Sequence, residues 1–250
     1  LNALHSFADL AVVAPATEQS AVGLSITIRH PLRIEKIEWS GVQSPIWSVS
    51  GTPADCVKMA LSVVLDRTPD LIVSGINRGS NAGRNVLYSG TVAGVVEGTL
   101  HDIPGIAFSM AEYFNPKYHH AENYIQPIVE YILNHPLPLG TILNVNFPHD
   151  METNFKGLRF AKQGQEYWAE SPEQREHPAE GSTYYWLGAK VASFEEDHQS
   201  DIACLKQGYA TAVPIHVSDL THHHHLEKYR DHFESIVNLC TSVDLSQLNK

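Results

Sequence analysis

The sequence predicts an α/β domain, a mostly parallel sheet with helices on both faces, extended by a β-rich C-terminal stretch and a terminal helix. Three observations predict it. Short apolar runs without alternation, LAVVAP, PDLIV and IPGIAFS, read as strands covered on both faces. Helical patterns separate them in regular order, which a parallel sheet requires of its crossovers. Beyond residue 160 this alternation gives way to strand-like segments and polar loops. With 250 residues, 43% of them hydrophobic, the chain can fill one large α/β core or a core with an appendage.

The elements follow in order. LNALHSFAD reads as the last turns of a helix, and LAVVAP as a buried strand stopped at Pro15. The polar stretch ATEQSAVGLS comes next, and alternation in SITIRHPLRIEKIEW predicts a hairpin or extended arm before IWSVSG. Thr52-Pro53-Ala54-Asp55 opens a helix running to Leu65, with Pro53 in the first turn, where it removes no bond, and Asp55 as a cap. A strand at 70–73 leads through a long loop to a helix at 91–100, where Val92, Val95, Val96, Thr99 and Leu100 keep helical spacing and Thr91 is the cap. A strand at 103–109 and a helix at 121–134 repeat the pattern. TILNVNFP and KGLRFAKQG are further strands, 165–200 is a projecting hairpin or mobile loop, and ACLKQGYATAVPIHV returns to strand character with a turn at Gln207-Gly208. In the final helix, 226–240, Leu226, Tyr229, Phe233, Ile236 and Val237 form one apolar face. This divides the chain into a core, 1–160, and a C-terminal extension, 161–250.

Composition removes several classes of function. A net charge of −11 with no Lys/Arg cluster opposes binding to duplex nucleic acid. The longest apolar runs fall far below the roughly 18 residues of a membrane span, and no signal peptide is visible. Cys56, Cys204 and Cys240 are widely spaced and form no CxxC pair, which fits reduced thiols in the cytoplasm. His222 to His225 have the composition of a metal site, but they open an amphipathic helix and read as its solvated start.

The loop SGINRGSNAGRNVLYSGT, residues 74–91, carries the chemistry. It joins a strand to a helix, at the sheet edge where open α/β folds bind ligands. Ser89-Gly90-Thr91, at the helix start, offers backbone N–H groups and two hydroxyls to a phosphate, although the same tripeptide also makes an ordinary cap. For Asn77 and Asn81 two readings stand level: their amide oxygens serve a hard cation, which normally also needs a carboxylate, or both residues simply occupy left-handed turns. Tyr88, Tyr167 and Trp168 are candidates for stacking on a base and equally for packing.

VVAP with EQS, GTPADCV, and the loop from SGIN to YSGT together resemble the SurE family, the survival-protein 5′-nucleotidases. The resemblance continues through IPGIAFS, ILNVNFP, KGLRF and QGYATAVPIHV and covers essentially the whole chain. It implies a Rossmann-like sheet and a phosphatase hydrolysing nucleoside 5′-monophosphates, with 3′-monophosphates as further substrates. It also implies one Mg²⁺ or Mn²⁺ per subunit and a homodimer or homotetramer with exchanged C-terminal segments. Residue by residue, Ser20 and Asn77 match the family's metal site, and Asn81, Ser89, Gly90 and Thr91 match its phosphate site. The family's remaining metal ligands are two aspartates in an Asn-Asp-Asp-Gly segment after the first strand, and this sequence contains no such segment. Aligned on FAD and VVAP, it begins inside the helix that follows that strand, so the expectation is part of a longer protein. An empty central slot would leave two unpaired strand edges and a core cavity. The rival readings are a nucleotide- or phosphate-binding module without catalysis and, ranked below it, a nicotinamide-dependent oxidoreductase, for which the GxGxxG after a first strand is missing.

Overall fold

Two adjacent strands set the layers. Gly105–Met110 (β5) and Thr141–Phe147 (β6) run parallel and expose none of their residues, as their unbroken apolar character requires. Ile106, Phe108 and Met110 of β5, with Leu143, Val145 and Phe147 of β6, face Ala121, Ile125, Val129 and Ile132 of helix α3 (Tyr118–Asn134). Ala107 and Ile142 face the other way, against Val92 and Val95 of helix α2 (Gly90–Thr99). The computed structural model in which these contacts are seen describes residues 1–188 and 190–243, with side chains up to residue 238.

The five-stranded sheet has the order β4 (Ile72–Arg78), β5, β6, β12 (Ala210–His216), β7 (Leu158–Phe160). β4, β5 and β6 are parallel, and β12 runs antiparallel to β6 and parallel to β7. This is the Rossmann-like α/β arrangement, a mostly parallel sheet between helical layers. A second sheet orders β1 (Val12–Pro15), β3 (Ile46–Val49) and β2 (Ile34–Ile37), with β1 parallel and β2 antiparallel to β3. Among the described residues, the outer edges of β1 and β4 pair with no further strand. A cavity of about 2140 Å³ is lined by Val12, Val13 and Ala14 from the first edge and by Ile72, Val73 and Ile76 from the second.

Several elements depart from the sequence expectation: β4 runs on to Arg78 where the sequence predicts a strand at 70–73, β1 and β4 are only partly buried, and three further differences fall within the first 65 residues. Residues 1–8 form helical-type turns, in which Leu1 O accepts from the N–H groups of Leu4 and His5, and not a regular helix. Helix α1 (Pro53–Met59) passes at Ala60 into a single π-helical turn that ends at Val64. Of the alternating stretch 25–39 only β2 pairs, because Thr27 gives its N–H and hydroxyl to a side chain, Asp55, at 2.9 and 2.6 Å.

Asp55 is the cap that its position predicts. Thr52 Oγ1 accepts from Asp55 N–H at 3.1 Å while Asp55 Oδ2 accepts from Thr52 N–H at 2.9 Å, a reciprocal capping box. Burial pushes its carboxyl up, but the hydrogen bonds from Thr27 and Thr52 outweigh burial and hold it below the ordinary carboxylate value. Asp55→Ala is therefore expected to cost about 2 kcal/mol near neutral pH, from charge-assisted bonds and the lost cap. A depressed folded-state pKa gives stability that is present above the unfolded value and lost as pH falls through the folded one. The gap between wild type and variant, measured by denaturant unfolding, should narrow below about pH 4; a constant gap from pH 7 to pH 3 would rule out the ionic contribution.

In the C-terminal half, β9 (Glu173–Glu176) and β10 (Thr183–Trp186) form an antiparallel hairpin with exposed residues within the 165–200 stretch, and β8 (Tyr167–Ala169) pairs antiparallel with β11 (Lys190–Ala192). The segment ACLK, read from the sequence as strand, is instead part of helix α4 (Asp201–Lys206), which Ser200 caps by accepting from Ala203 N–H; the strand β12 begins only after the turn at Gln207-Gly208 and lies within the main sheet. A separate unit begins at Asp219 and contains helix α5 (His223–Val243), whose first turn takes in His223 to His225, with His223 Nε2 2.6 Å from Asp219 Oδ2. Cys240 lies outside the residues whose side chains are described. No described helix is long and apolar enough to cross a membrane.

Candidate active site

The site is built where β4 leaves the sheet. Its pairing with β5 breaks register between Ser74 and Asn77, and this irregularity delivers Asn77 to the carboxyl end of the strand. Asn77 Nδ2 donates to the carbonyls of Arg78 and Gly79 at 3.2 and 2.9 Å, which leaves Oδ1 without a partner among the described residues. Gly79 N–H returns to Met110 O at 2.9 Å and holds the loop on the sheet.

The chain then folds inward. Asn81 is buried: its N–H donates to Asn146 Oδ1 at 2.8 Å, its Nδ2 donates to Ser109 Oγ at 2.6 Å, and its carbonyl accepts from Asn144 Nδ2 at 3.0 Å. A 3₁₀ turn, Gly83–Tyr88, carries the loop to Ser89. The helix cap is Ser89, and not Thr91 as the sequence reading had it: Ser89 keeps extended backbone and its Oγ accepts from Val92 N–H at 3.1 Å. Both residues bear hydroxyls, and the point at which the chain leaves the 3₁₀ turn decides between them. Gly90 and Thr91 thus form the first turn of α2, where N–H groups have no intrahelical acceptor and the helix dipole favours an anion.

The loop after β1 completes the wall. Gly23 N–H donates to Tyr88 O at 2.9 Å, tying this loop to the residue before Ser89. Ser20 Oγ donates to Glu18 Oε1 at 2.9 Å, and Arg78 Nη2 stands 3.4 Å from the same oxygen while its guanidinium lies over the Tyr113 ring at 4.8 Å. Ser20, Asn77, Asn81, Ser89, Gly90 and Thr91 all line one cavity, and so do Tyr88 and Trp168. Tyr167 does not: its ring packs on Phe194 at 6.0 Å.

The sequence reading missed three contributors. Glu18 and Arg78 adjoin Ser20 and Asn77 in the chain, so neighbourhood alone was the available signal. Asp201 had none. It is buried and bolts the loop from behind, Oδ2 accepting from Gly83 N–H at 2.9 Å and Oδ1 from the N–H groups of Gly164 and Ile202, each at 2.8 Å. Burial pushes its carboxyl above the ordinary value against the pull of those three bonds. Gly83 has φ +59°, and a Cβ there would lie 2.5 Å from Glu166 O, so only glycine permits this close junction with the C-terminal half. Arg84 N–H to Glu166 O and Trp168 N–H to Asn85 Oδ1, both 2.9 Å, finish the seam.

The donor set bears on a divalent ion. Ser20 Oγ and Asn77 Oδ1 are neutral oxygens of the kind a hard cation accepts, and Glu18 is the carboxylate bonded to Ser20. They fit as part of an oxygen shell. Among the described residues no three His, Cys, Asp or Glu side chains gather into a metal group.

Residues 1–170 match the family described as Survival protein SurE. The chain belongs to the SurE family. It is 57% identical over 237 residues to a 5′-nucleotidase SurE of Protochlamydia amoebophila, covering 95% of this chain and 91% of the relative. A 5′-nucleotidase SurE of Thermosipho melanesiensis is 40% identical over 226 residues, 90% of this chain and 88% of that one. The crystal structure of the SurE protein from Aquifex aeolicus superposes with a TM-score of 0.76 at 34% identity, covering 94% of this chain and 91% of that chain. The SurE fold therefore extends over the β-rich C-terminal segments as well as the α/β core.

Proposed function

We propose that this SurE protein is a phosphatase that hydrolyses nucleoside 5′-monophosphates with the help of one Mg²⁺ or Mn²⁺ ion. The observation that carries the reading is the convergence, in one cavity, of a helix N-terminus bearing Ser89, Gly90 and Thr91 with the oxygens of Ser20 and Asn77. The names of its relatives, 5′-nucleotidase SurE, supply the substrate class.

Ser20 and Asn77 would hold the ion, with Glu18 at hand; a divalent ion, when bound, supplies Lewis-acid polarisation of the phosphoryl group. The chain's own residues do the rest. The N–H groups of Gly90 and Thr91 and the hydroxyl of Thr91 donate to phosphoryl oxygens, and in a dry, preorganised setting such donors stabilise the charge that builds in the transition state. Asn81 has two amide hydrogens, one engaged by Ser109, and the second serves a phosphoryl oxygen. Tyr88 and Trp168, both half exposed on the same cavity, offer faces for the base. Buried, unpaired thiols at Cys56 and Cys204 favour a reducing compartment, the cytoplasm. Leu226, Tyr229 and Phe233 of α5 are exposed along one helix and suit a partner subunit in a homodimer or homotetramer.

The experiment is phosphate release from a panel of nucleoside monophosphates with Mg²⁺ or Mn²⁺, with and without EDTA. Release that requires metal and stops with EDTA is the expected result. Nucleotide binding that ignores chelator and leads to no turnover would make the protein a binding module instead.

A further inference from the structure

Asn81 is held by a polar cluster set into an otherwise apolar sheet. Alternation along β6 puts Asn144 and Asn146 on the same face as Ile142, which packs towards α2, and Ser109 shares that face of β5 with Ala107. All three polar residues are at most 1% exposed. From two positions on one strand, the asparagines take both backbone groups of a single residue: Asn146 Oδ1 accepts from Asn81 N–H at 2.8 Å, and Asn144 Nδ2 donates to Asn81 O at 3.0 Å. Asn146 Oδ1 also accepts from Ser80 Oγ at 3.2 Å, and Ser109 Oγ accepts from Asn81 Nδ2 at 2.6 Å.

The cluster is expensive for a core. Asn144 Oδ1, Asn146 Nδ2 and Thr211 Oγ1 are buried and have no partner among the described residues, and Thr211 sits directly across from Asn146 on β12. A buried polar atom without a partner costs stability that an aliphatic side chain would not lose. The bonds that the two asparagine side chains do make run to residues 80 and 81 and to no other part of the core. The cluster is organised around the loop.

We propose that Asn146 is a positioning residue of the phosphate site: its Oδ1 fixes the peptide of Asn81, and so sets where the Asn81 amide meets a phosphoryl oxygen. The inference rests on the phosphatase reading above. It predicts a defect in phosphate recognition and turnover without a defect in metal use, since Ser20 lies on the loop after β1 and Asn77, though in the same loop as Asn81, is anchored upstream of it by its own bond to Gly79 O and by the bond from Gly79 N–H to Met110 O.

The test compares wild type with Asn146→Leu, which keeps the branched outline of the side chain and removes the acceptor, Asn146→Asp, which keeps the acceptor, and Thr211→Val, which alters the same buried cluster without touching Asn81. Inhibition by inorganic phosphate, kcat/KM for a nucleoside monophosphate, the half-activating metal concentration and the thermal midpoint are measured on each. N146L should weaken phosphate inhibition and lower kcat/KM, each by roughly 10- to 100-fold, the scale on which small misplacements of a catalytic contact act. The half-activating metal concentration should stay the same. N146D should recover most of the loss, and T211V should match wild type in phosphate inhibition. If N146L does not fold, Asn146→Ser, which is smaller than asparagine and too short to place its oxygen where Oδ1 stands, carries the same comparison. Unchanged phosphate inhibition in the folded Asn146 variants, or the same loss in T211V, overturns the assignment. A wild-type protein that releases no phosphate would instead remove the phosphatase reading, and this inference with it.

Discussion

Asn77→Ala is expected to cut metal-dependent phosphate release severely while leaving the fold in place. The two effects separate because the side chain's bonds are local. Asn77 Nδ2 reaches the carbonyls of the next two residues and no other element, in a half-buried position at the mouth of the cavity. Losing two such bonds where water can replace them costs about 1–2 kcal/mol, or a few degrees in thermal midpoint for a chain of this size. The unpartnered Oδ1 is different. In the proposed reading it is one of the two neutral side-chain oxygens assigned to the ion, with Glu18 the carboxylate at hand. Removing it should lower kcat/KM by about 100-fold or more, on the scale of lost electrostatic contacts in active sites. Raising the metal concentration should recover part of the rate, because the defect is in holding the ion. A variant that releases phosphate at the wild-type rate, with unchanged metal dependence, would remove Asn77 from the site.

The sequence made the strands legible for a definite reason. β5 and β6 are covered on both faces, so their sequences lack alternation and cannot be mistaken for half-exposed strands. The converse failed in the stretch around Thr27. Ile26 and Ile28 alternate with polar neighbours, yet Ile28 is 83% exposed and the backbone there serves Asp55 and no strand. Alternation is a property of side chains, while strand formation depends on where the N–H and C=O groups find partners. β12 posed the same problem at larger scale. Its sequence reads as a strand, but nothing in it states that it will run antiparallel beside β6.

The candidate site was legible in its loop and illegible in its supports. Six residues chosen from short motifs line a single cavity, since glycine, serine and asparagine are concentrated where backbone must approach a ligand. The residues that hold the loop are ordinary in sequence. Asp201 falls in sequence between a polar loop and a segment read as strand, and Asn144 and Asn146 are polar interruptions of a strand. Their roles exist only through contacts that bring Gly83 and Asn81 to them across 118, 63 and 65 residues of chain.

Support of another kind comes from Gly75, where substitution should have the largest effect on stability. Its φ is +109°, a backbone conformation that side chains other than glycine's rarely enter, and an added Cβ would fall 2.2 Å from Phe108 O. The carbonyl has nowhere to go. Phe108 is buried in β5, which is paired on both sides, by β4 and by β6. Gly75→Ala therefore combines backbone strain of about 1–2 kcal/mol with overpacking of about 1–3 kcal/mol. A total near 4 kcal/mol would lower the thermal midpoint by roughly 10 °C. Turnover should fall as well, because Asn77 lies just beyond the break in register that Gly75 permits. Gly157→Ala separates the two components: φ there is +105°, yet nothing stands within 4 Å of the added Cβ. That variant should show the strain alone and keep its activity. If Gly75→Ala lost no more stability than Gly157→Ala, the contact with Phe108 would not be what fixes the path of β4, and the delivery of Asn77 to the cavity would need another cause.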